Sequence, residues 1–166
     1  KLESSKISLE EFDKLFALES ENLGYKIEGS KILELLQGSV VPEMVKMLEV
    51  LKEELFLLAC LTNNFHANED KSALDNNNQE RQRILGLFDY IIESREVGVR
   101  KPEDKFYEIA LTTTGCNPSE VIFLDDLGIN LKPAKALGMT TIKVVDHIES
   151  IKKLCEYLEI DRERII

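Results

Sequence analysis

The sequence predicts an α/β protein: a parallel sheet covered by helices on both faces, with a helical lobe ahead of it. Three observations predict this. From Pro42 onward, short apolar runs alternate with amphipathic helical patterns, the order that right-handed crossovers turn into a parallel sheet. Before Pro42 the periodicity is helical only. And 166 residues, with 43% apolar and 31% charged side chains, suit one domain or a core with a small accessory lobe.

Each element follows from local pattern. Ser8 and Glu11 are spaced as a capping box, and Leu9, Phe12, Leu15, Phe16 and Leu18 recur at helical spacing, which predicts a helix over about residues 9–22 stopped at Gly24. A second short helix, Lys31 to Leu36, places Ile32, Leu35 and Leu36 on one face and ends at Gly38. Residues 1–38 thus form the lobe and 39–166 the core. Pro42 suits a first helical position, and Met44, Val45, Leu48 and Leu51 line the inner face of a helix running to about Glu53. Leu55 to Leu61 is a continuous apolar run, read as a strand covered on both faces. Residues 66–83, rich in Asn, Asp, Glu and Gln, read as a solvated excursion, disordered in part. There follow a strand at Tyr90–Ile92, a helix from Pro102 to about Thr113, a strand at Val121–Leu124, a helix at about Leu131–Leu137, a strand at Thr140–Val145 and a last helix, Ile148–Glu159.

Charge and composition exclude several partners. A net charge of −10 and a pI near 4.8 leave few cations for a nucleic-acid backbone. The longest apolar stretch is too short to span a bilayer, and Lys1 to Lys6 lacks the apolar run of a signal peptide. Cys60, Cys116 and Cys155 are odd in number and widely spaced, with only His66 and His147 beside them. This predicts neither a disulfide framework nor a zinc site, and it fits a soluble protein of the cytoplasm or another reducing compartment. Cys60 reads as a small core residue, and neither histidine has an acid or nucleophile at a telling spacing.

Ligands of an open parallel sheet sit beyond the carboxyl ends of its strands, so the residues after each apolar run are the informative ones. The first strand ends in Thr62-Asn63-Asn64, the second leads to Lys101-Pro102, and the third ends in Asp125-Asp126. Adjacent carboxylates repel unless a cation neutralises them, and hard oxygen ligands favour Mg²⁺; the competing reading has Asp126 capping the next helix and Asp125 solvated. Lys101 suits either a counter-charge for phosphoryl oxygens or a solvated loop position. Thr62 and Asn63 suit either a phosphoryl oxygen or the backbone turn after the strand.

Taken in order, these segments resemble motifs II, III and IV of the haloacid dehalogenase superfamily. Leu61-Thr-Asn-Asn-Phe65 looks like motif II, Glu93-Ser-Arg-Glu-Val-Gly-Val-Arg-Lys-Pro102 like motif III, and Pro118-Ser-Glu-Val-Ile-Phe-Leu-Asp-Asp-Leu-Gly-Ile-Asn-Leu-Lys-Pro133 like motif IV. Within the superfamily the chain is similar to the phosphatase-like domain of soluble epoxide hydrolases and of certain acyl-CoA dehydrogenase fusion proteins. The resemblance implies a three-layer, Rossmann-like core with residues 1–38 as part of a helical cap. It also implies Mg²⁺-dependent hydrolysis of a small phosphorylated substrate through an aspartyl phosphate. Thr62, with Asn63 assisting, would hold a phosphoryl oxygen and Lys101 would balance charge. Asp126 would be the direct metal ligand, Asp125 would support it, and Asn130 would brace the loop.

One motif is missing. The family's nucleophile lies in an Asp-x-Asp at the end of an N-terminal apolar strand, and no Asp-x-Asp occurs in this sequence. Catalysis by these 166 residues alone is therefore expected to be absent. The resemblance also puts that strand between those ending at Thr62 and Asp125, so its loss would leave a gap about 4.8 Å wider than normal pairing. Buried unpaired backbone groups cost about 1–3 kcal/mol each, against a whole-domain margin of about 5–15 kcal/mol. Two expectations follow: that the sequence is a fragment of a longer enzyme, or that it is a non-catalytic interaction module whose sheet is rearranged or filled by a partner. A homodimer is compatible with either.

Overall fold

The computed structural model describes residues 7–35, 39–63 and 76–166. Its first two helices lie in the stretch expected to form the lobe. Helix α1 spans Leu9–Asn22, and the Ser8 hydroxyl accepts from the Glu11 N–H. Helix α2, Gly29–Leu35, begins two residues before the expected Lys31 and packs on α1. Gly29 is required by that approach, because a Cβ there would lie 2.8 Å from the Phe12 ring, and Asp13 accepts from the Ser30 N–H. The apolar stripe of α1 is only partly covered: Leu15 is 48% and Leu18 59% exposed.

Helix α3 spans Pro42–Glu53, as the proline and the periodicity predict. Its buried face is Val45, Met47, Val50 and Leu51, with Met44 and Leu48 partly covered. The apolar run after it is not the strand its length suggested. Leu55 adopts φ +63° and is 91% exposed, and the bonds Leu55 N–H to Lys52 O and Phe56 N–H to Leu51 O close a Schellman motif. The run is thus divided between a helix stop and a strand, and β1 is confined to Ala59–Thr62, half-buried at every residue rather than covered on both faces.

Part of the predicted excursion is helical: α4, Asn76–Leu85, shows a solvent-facing surface at residues 79–83 and is tied to α3 by Arg83 and Glu49 at 2.9 Å. Residues 66–75 of that stretch, with His66, lie outside the described residues. Strand β2 is Tyr90–Glu93, followed by the single turn α5, Ser94–Val97, closed by Gly98 in the left-handed region at φ +73°. Helix α6 is Asp104–Thr114, two residues later than expected, because Glu103 is extended as its N-cap. Strand β3, Ile122–Asp125, carries the first acid of the pair at its end. Helix α7, Gly128–Ala136, starts three residues earlier than expected and carries Pro133 inside it. Strand β4 is Thr140–Lys143, and α8, His147–Leu158, is capped by Asp146 accepting from the Glu149 N–H.

The strands are parallel, as predicted, and among the described residues they form two two-stranded sheets. β1 pairs with β2, Ala59 opposite Tyr90 through Thr62 opposite Glu93; β3 pairs with β4, Ile122 opposite Thr140 through Asp125 opposite Lys143. Two apolar clusters pack the strands against helices. On one side Met47, Val50 and Leu51 of α3 and Ile151 and Leu154 of α8 pack with Leu58 and Ile142. On the other, Phe106, Tyr107 and Ala110 of α6 and Ala134 of α7 pack with Ile92 and Phe123, and Leu61 leans against them. The second cluster draws on both sheets; the first takes its strand residues from β3 and β4, with Leu58 just ahead of β1. Val121 O and Asp125 O bond β4, so by alternation Ile122 and Leu124 aim their backbone groups at the opposite edge of β3.

Candidate functional site

Three chain segments converge at the carboxyl ends of the strands. Thr62 closes β1 half-buried, and Asn63 follows it. After β2, the α5 turn and Gly98 reverse the chain so that Lys101 comes alongside Asn63. The Asn63 carboxamide accepts from the Lys101 N–H at 2.9 Å and donates to the Lys101 carbonyl at 3.0 Å. The Lys101 side chain reaches the second sheet, where Nζ donates to Asp125 Oδ2 at 2.8 Å and lies 5.8 Å from the centre of the Phe123 ring.

Asp125 is the centre of the arrangement. Its side chain is 4% exposed and that of Lys101 13%, so this is a buried ion pair. The other oxygen, Oδ1, accepts from the Leu127 N–H and from Asn130 Nδ2, each at 2.9 Å. Burial alone would push the Asp125 carboxyl up, but the bonds from Lys101, Asn130 and the Leu127 amide outweigh it and hold the group below the usual carboxylate range. Asn130, buried in the first turn of α7, braces this loop, and its own carbonyl accepts from the Tyr107 hydroxyl at 2.6 Å. Burial, with Asp125 and Asp104 nearby, pushes the Tyr107 phenol up, so it serves as a donor. Asp126 faces solvent beside this network.

The structure therefore brings Asn63, Lys101 and Asp125 into one connected group, with Asn130 behind it and Thr62 and Asp126 flanking it. It divides the acid pair: Lys101 engages the inner carboxylate, and the outer one is open to water. Sequence reasoning missed Tyr107. In the helix after Lys101-Pro102 it reads as core, beside Phe106 and edge-on to Phe123, and only the fold puts its hydroxyl under Asn130. Among the described residues no three of His, Cys, Asp and Glu gather as a metal cage. Two adjacent acids, one of them solvent-facing, fit a hydrated Mg²⁺, which takes one or two carboxylates and keeps several waters.

A family profile described as haloacid dehalogenase-like hydrolase matches residues 3–144. The chain belongs to this family. Among its relatives, bifunctional epoxide hydrolase 2 of Rattus norvegicus is 39% identical over 116 residues, which are 70% of this chain and 21% of that protein. Acyl-CoA dehydrogenase family member 10 of Mus musculus is 35% identical over 150 residues, 88% of this chain and 13% of that protein. The chain thus spans about a fifth or less of either relative. A haloacid dehalogenase family enzyme of Bacteroides thetaiotaomicron, solved with magnesium and inorganic phosphate, superposes with a TM-score of 0.62 at 20% identity, covering 86% of this chain and 71% of its own. The fold of this haloacid dehalogenase-like chain is therefore the α/β architecture with parallel strands that the sequence predicted. Among its described residues no helix is long and apolar enough to cross a membrane.

Proposed function

We propose that this chain supplies the phosphate-holding and metal-holding side of a Mg²⁺-dependent phosphatase site for small phosphorylated substrates. The observation that carries the reading is the convergence of Asn63, Lys101 and Asp125 from two sheets onto one end of the fold, with Thr62 and the exposed Asp126 beside them. The Bacteroides relative that binds magnesium and phosphate on the same fold supports it.

Within this reading the Thr62 hydroxyl donates to a phosphoryl oxygen, and the Lys101 ammonium, already held against Asp125, offsets charge on the incoming phosphate. Asp126 and, behind it, Asp125 would hold the ion, which would supply electrostatic relief of the phosphoryl charge and orient the substrate. An aspartate attacks phosphorus, the ester oxygen leaves with a proton from a second acid, and water then hydrolyses the aspartyl phosphate. Neither of those two acids is in this sequence as an Asp-x-Asp pair. They would arrive on an extended segment, for which the edges of β1 and β3 that pair with no strand among the described residues offer hydrogen-bond partners. Helices α1 and α2 would belong to the cap that selects the substrate.

Two measurements test the reading. Millimolar Mg²⁺ should raise the melting temperature of the 166-residue chain, by an amount equivalent to about 2.7 kcal/mol at a hundred times Kd. Asp126→Asn should remove that shift and leave the metal-free melting temperature unchanged, since the side chain is exposed. No shift in the unsubstituted chain would favour a non-catalytic interaction module, the reading that the missing Asp-x-Asp itself supports. Phosphate release from a panel of phosphate esters should be absent for the 166 residues alone. It should appear, Mg²⁺-dependent and sensitive to Asp126→Asn, in a form that carries an apolar strand ending in Asp-x-Asp. An inert form of that kind would defeat the proposal.

A further inference from the structure

Among the groups in this network, the Asn63 side chain stands out for what it touches. The resemblance to the family has it assisting Thr62 with a phosphoryl oxygen. In the structure its carboxamide pairs with both backbone groups of a single residue 38 positions away, Oδ1 with the Lys101 N–H at 2.9 Å and Nδ2 with the Lys101 carbonyl at 3.0 Å. The pairing fixes which end of the amide is which, because an N–H can only meet the oxygen and a carbonyl can only meet the nitrogen. Two parallel bonds of this kind do what a neighbouring strand does. They set both the height and the rotation of the Lys101 backbone relative to β1, where one bond would leave a pivot.

Lys101 needs such a fixture. It sits in the turn between Gly98, whose φ is +73°, and α6, outside any strand ladder. Its four-carbon side chain has to deliver Nζ across to a carboxylate that belongs to the other sheet. A flexible stem loses rotamer freedom when it is held, so a stem whose root also wandered would meet Asp125 only part of the time. Lys101 reaches Asp125 through the space beside Phe123, and Asn63, directly after β1, anchors its root.

We infer that Asn63 is a positioning residue for Lys101: it couples the carboxyl end of β1 to the lysine that bridges to β3, and so sets where the ammonium stands at the junction of the two sheets. The consequence for phosphoryl transfer rests on the proposed function above; the clamp itself does not. It is a statement about the chain without metal or phosphate, and can fail or hold on its own.

The test is NMR of the 166-residue chain with neither Mg²⁺ nor phosphate present. In the unsubstituted protein the Lys101 ε-methylene should show cross-relaxation to the Phe123 ring and an upfield shift from it. Asn63→Ala, shown folded by circular dichroism, should lose both, while a core variant such as Leu154→Ala should keep them although it lowers stability. Retention of the Lys101 signature in Asn63→Ala would overturn the inference. Should Asn63→Ala fail to fold, the unsubstituted chain still decides. A scalar coupling across the bond from Asn63 Nδ2 to the Lys101 carbonyl is expected, and its absence, with fast exchange of the amide protons, would overturn the clamp.

Discussion

Lys101→Met should destabilise the chain by about 3–5 kcal/mol and reverse the pH response of Asp125. The size of the effect comes from what the substitution leaves behind. Asp125 is 4% exposed in its side chain, and without the ammonium it is a buried carboxylate supported only by Asn130 and the Leu127 amide. The sign follows from linkage. In the unsubstituted chain the Asp125 carboxyl lies below its ordinary value, so its contribution is complete above about pH 4 and lost as pH falls through the depressed native value. With Lys101 gone, burial, the largest single influence on the group, is opposed only by the Asn130 and Leu127 bonds, and the native carboxyl is expected to rise above the unfolded one. Its contribution is then complete below about pH 4 and lost as pH rises through the raised native value. Denaturant titrations at pH 4 and pH 7 check this: the variant's deficit should be smaller at the lower pH. Adding Asp125→Asn to Lys101→Met should recover much of the loss, because no unpaired charge remains. A deficit that does not change with pH and is not recovered would mean the pair is not the buried contact described.

Asn130→Ala is the second large effect, about 1.5–3 kcal/mol, the cost of removing a hydrogen bond to a charged group. Asn130 Nδ2 donates to Asp125 Oδ1 inside the first turn of α7, where no water replaces it: the residue is 4% exposed. Asn130→Asp should cost more, since it sets a second carboxylate against the first and raises the pKa of the pair. Urea unfolding of the two variants at neutral pH tests the order. If Asn130→Asp were as stable as the unsubstituted chain, Asn130 would not be facing Asp125.

The sequence carried the parts of this fold that rest on periodicity and on punctuation. Pro42, Ser8, Gly24, Gly115 and Gly138 act locally, so α1, α3 and the end of α6 could be read without knowledge of the rest. The strand after α3 could not be bounded in the same way. Leu55, Phe56 and Leu57 are as apolar as a buried strand, but the first two lie in a helix-ending turn, Leu57 follows it, and they remain 91%, 37% and 45% exposed; hydrophobicity has no term for that geometry. Residues 76–83 failed for the opposite reason: their polarity reads as loop, while a surface helix anchored through Arg83 tolerates it. At the site, strand-end logic pointed to Thr62, Asn63, Lys101 and the two aspartates because a parallel sheet brings those ends together. The inward turn of Asp125, the outward turn of Asp126 and the reach of the Tyr107 hydroxyl are properties of packing between elements distant in the chain, which spacing cannot encode.

One apolar cluster takes side chains from both pairs of strands, Ile92 and Leu61 beside Phe123, and the other sets Leu58, just ahead of β1, beside Ile142 of β4. Melting either pair would strip the lining that Ile92, Leu61 and Phe123 share, so the halves are coupled although no ladder joins them among the described residues. Continuity of this domain is thus a property of its interior rather than of its backbone.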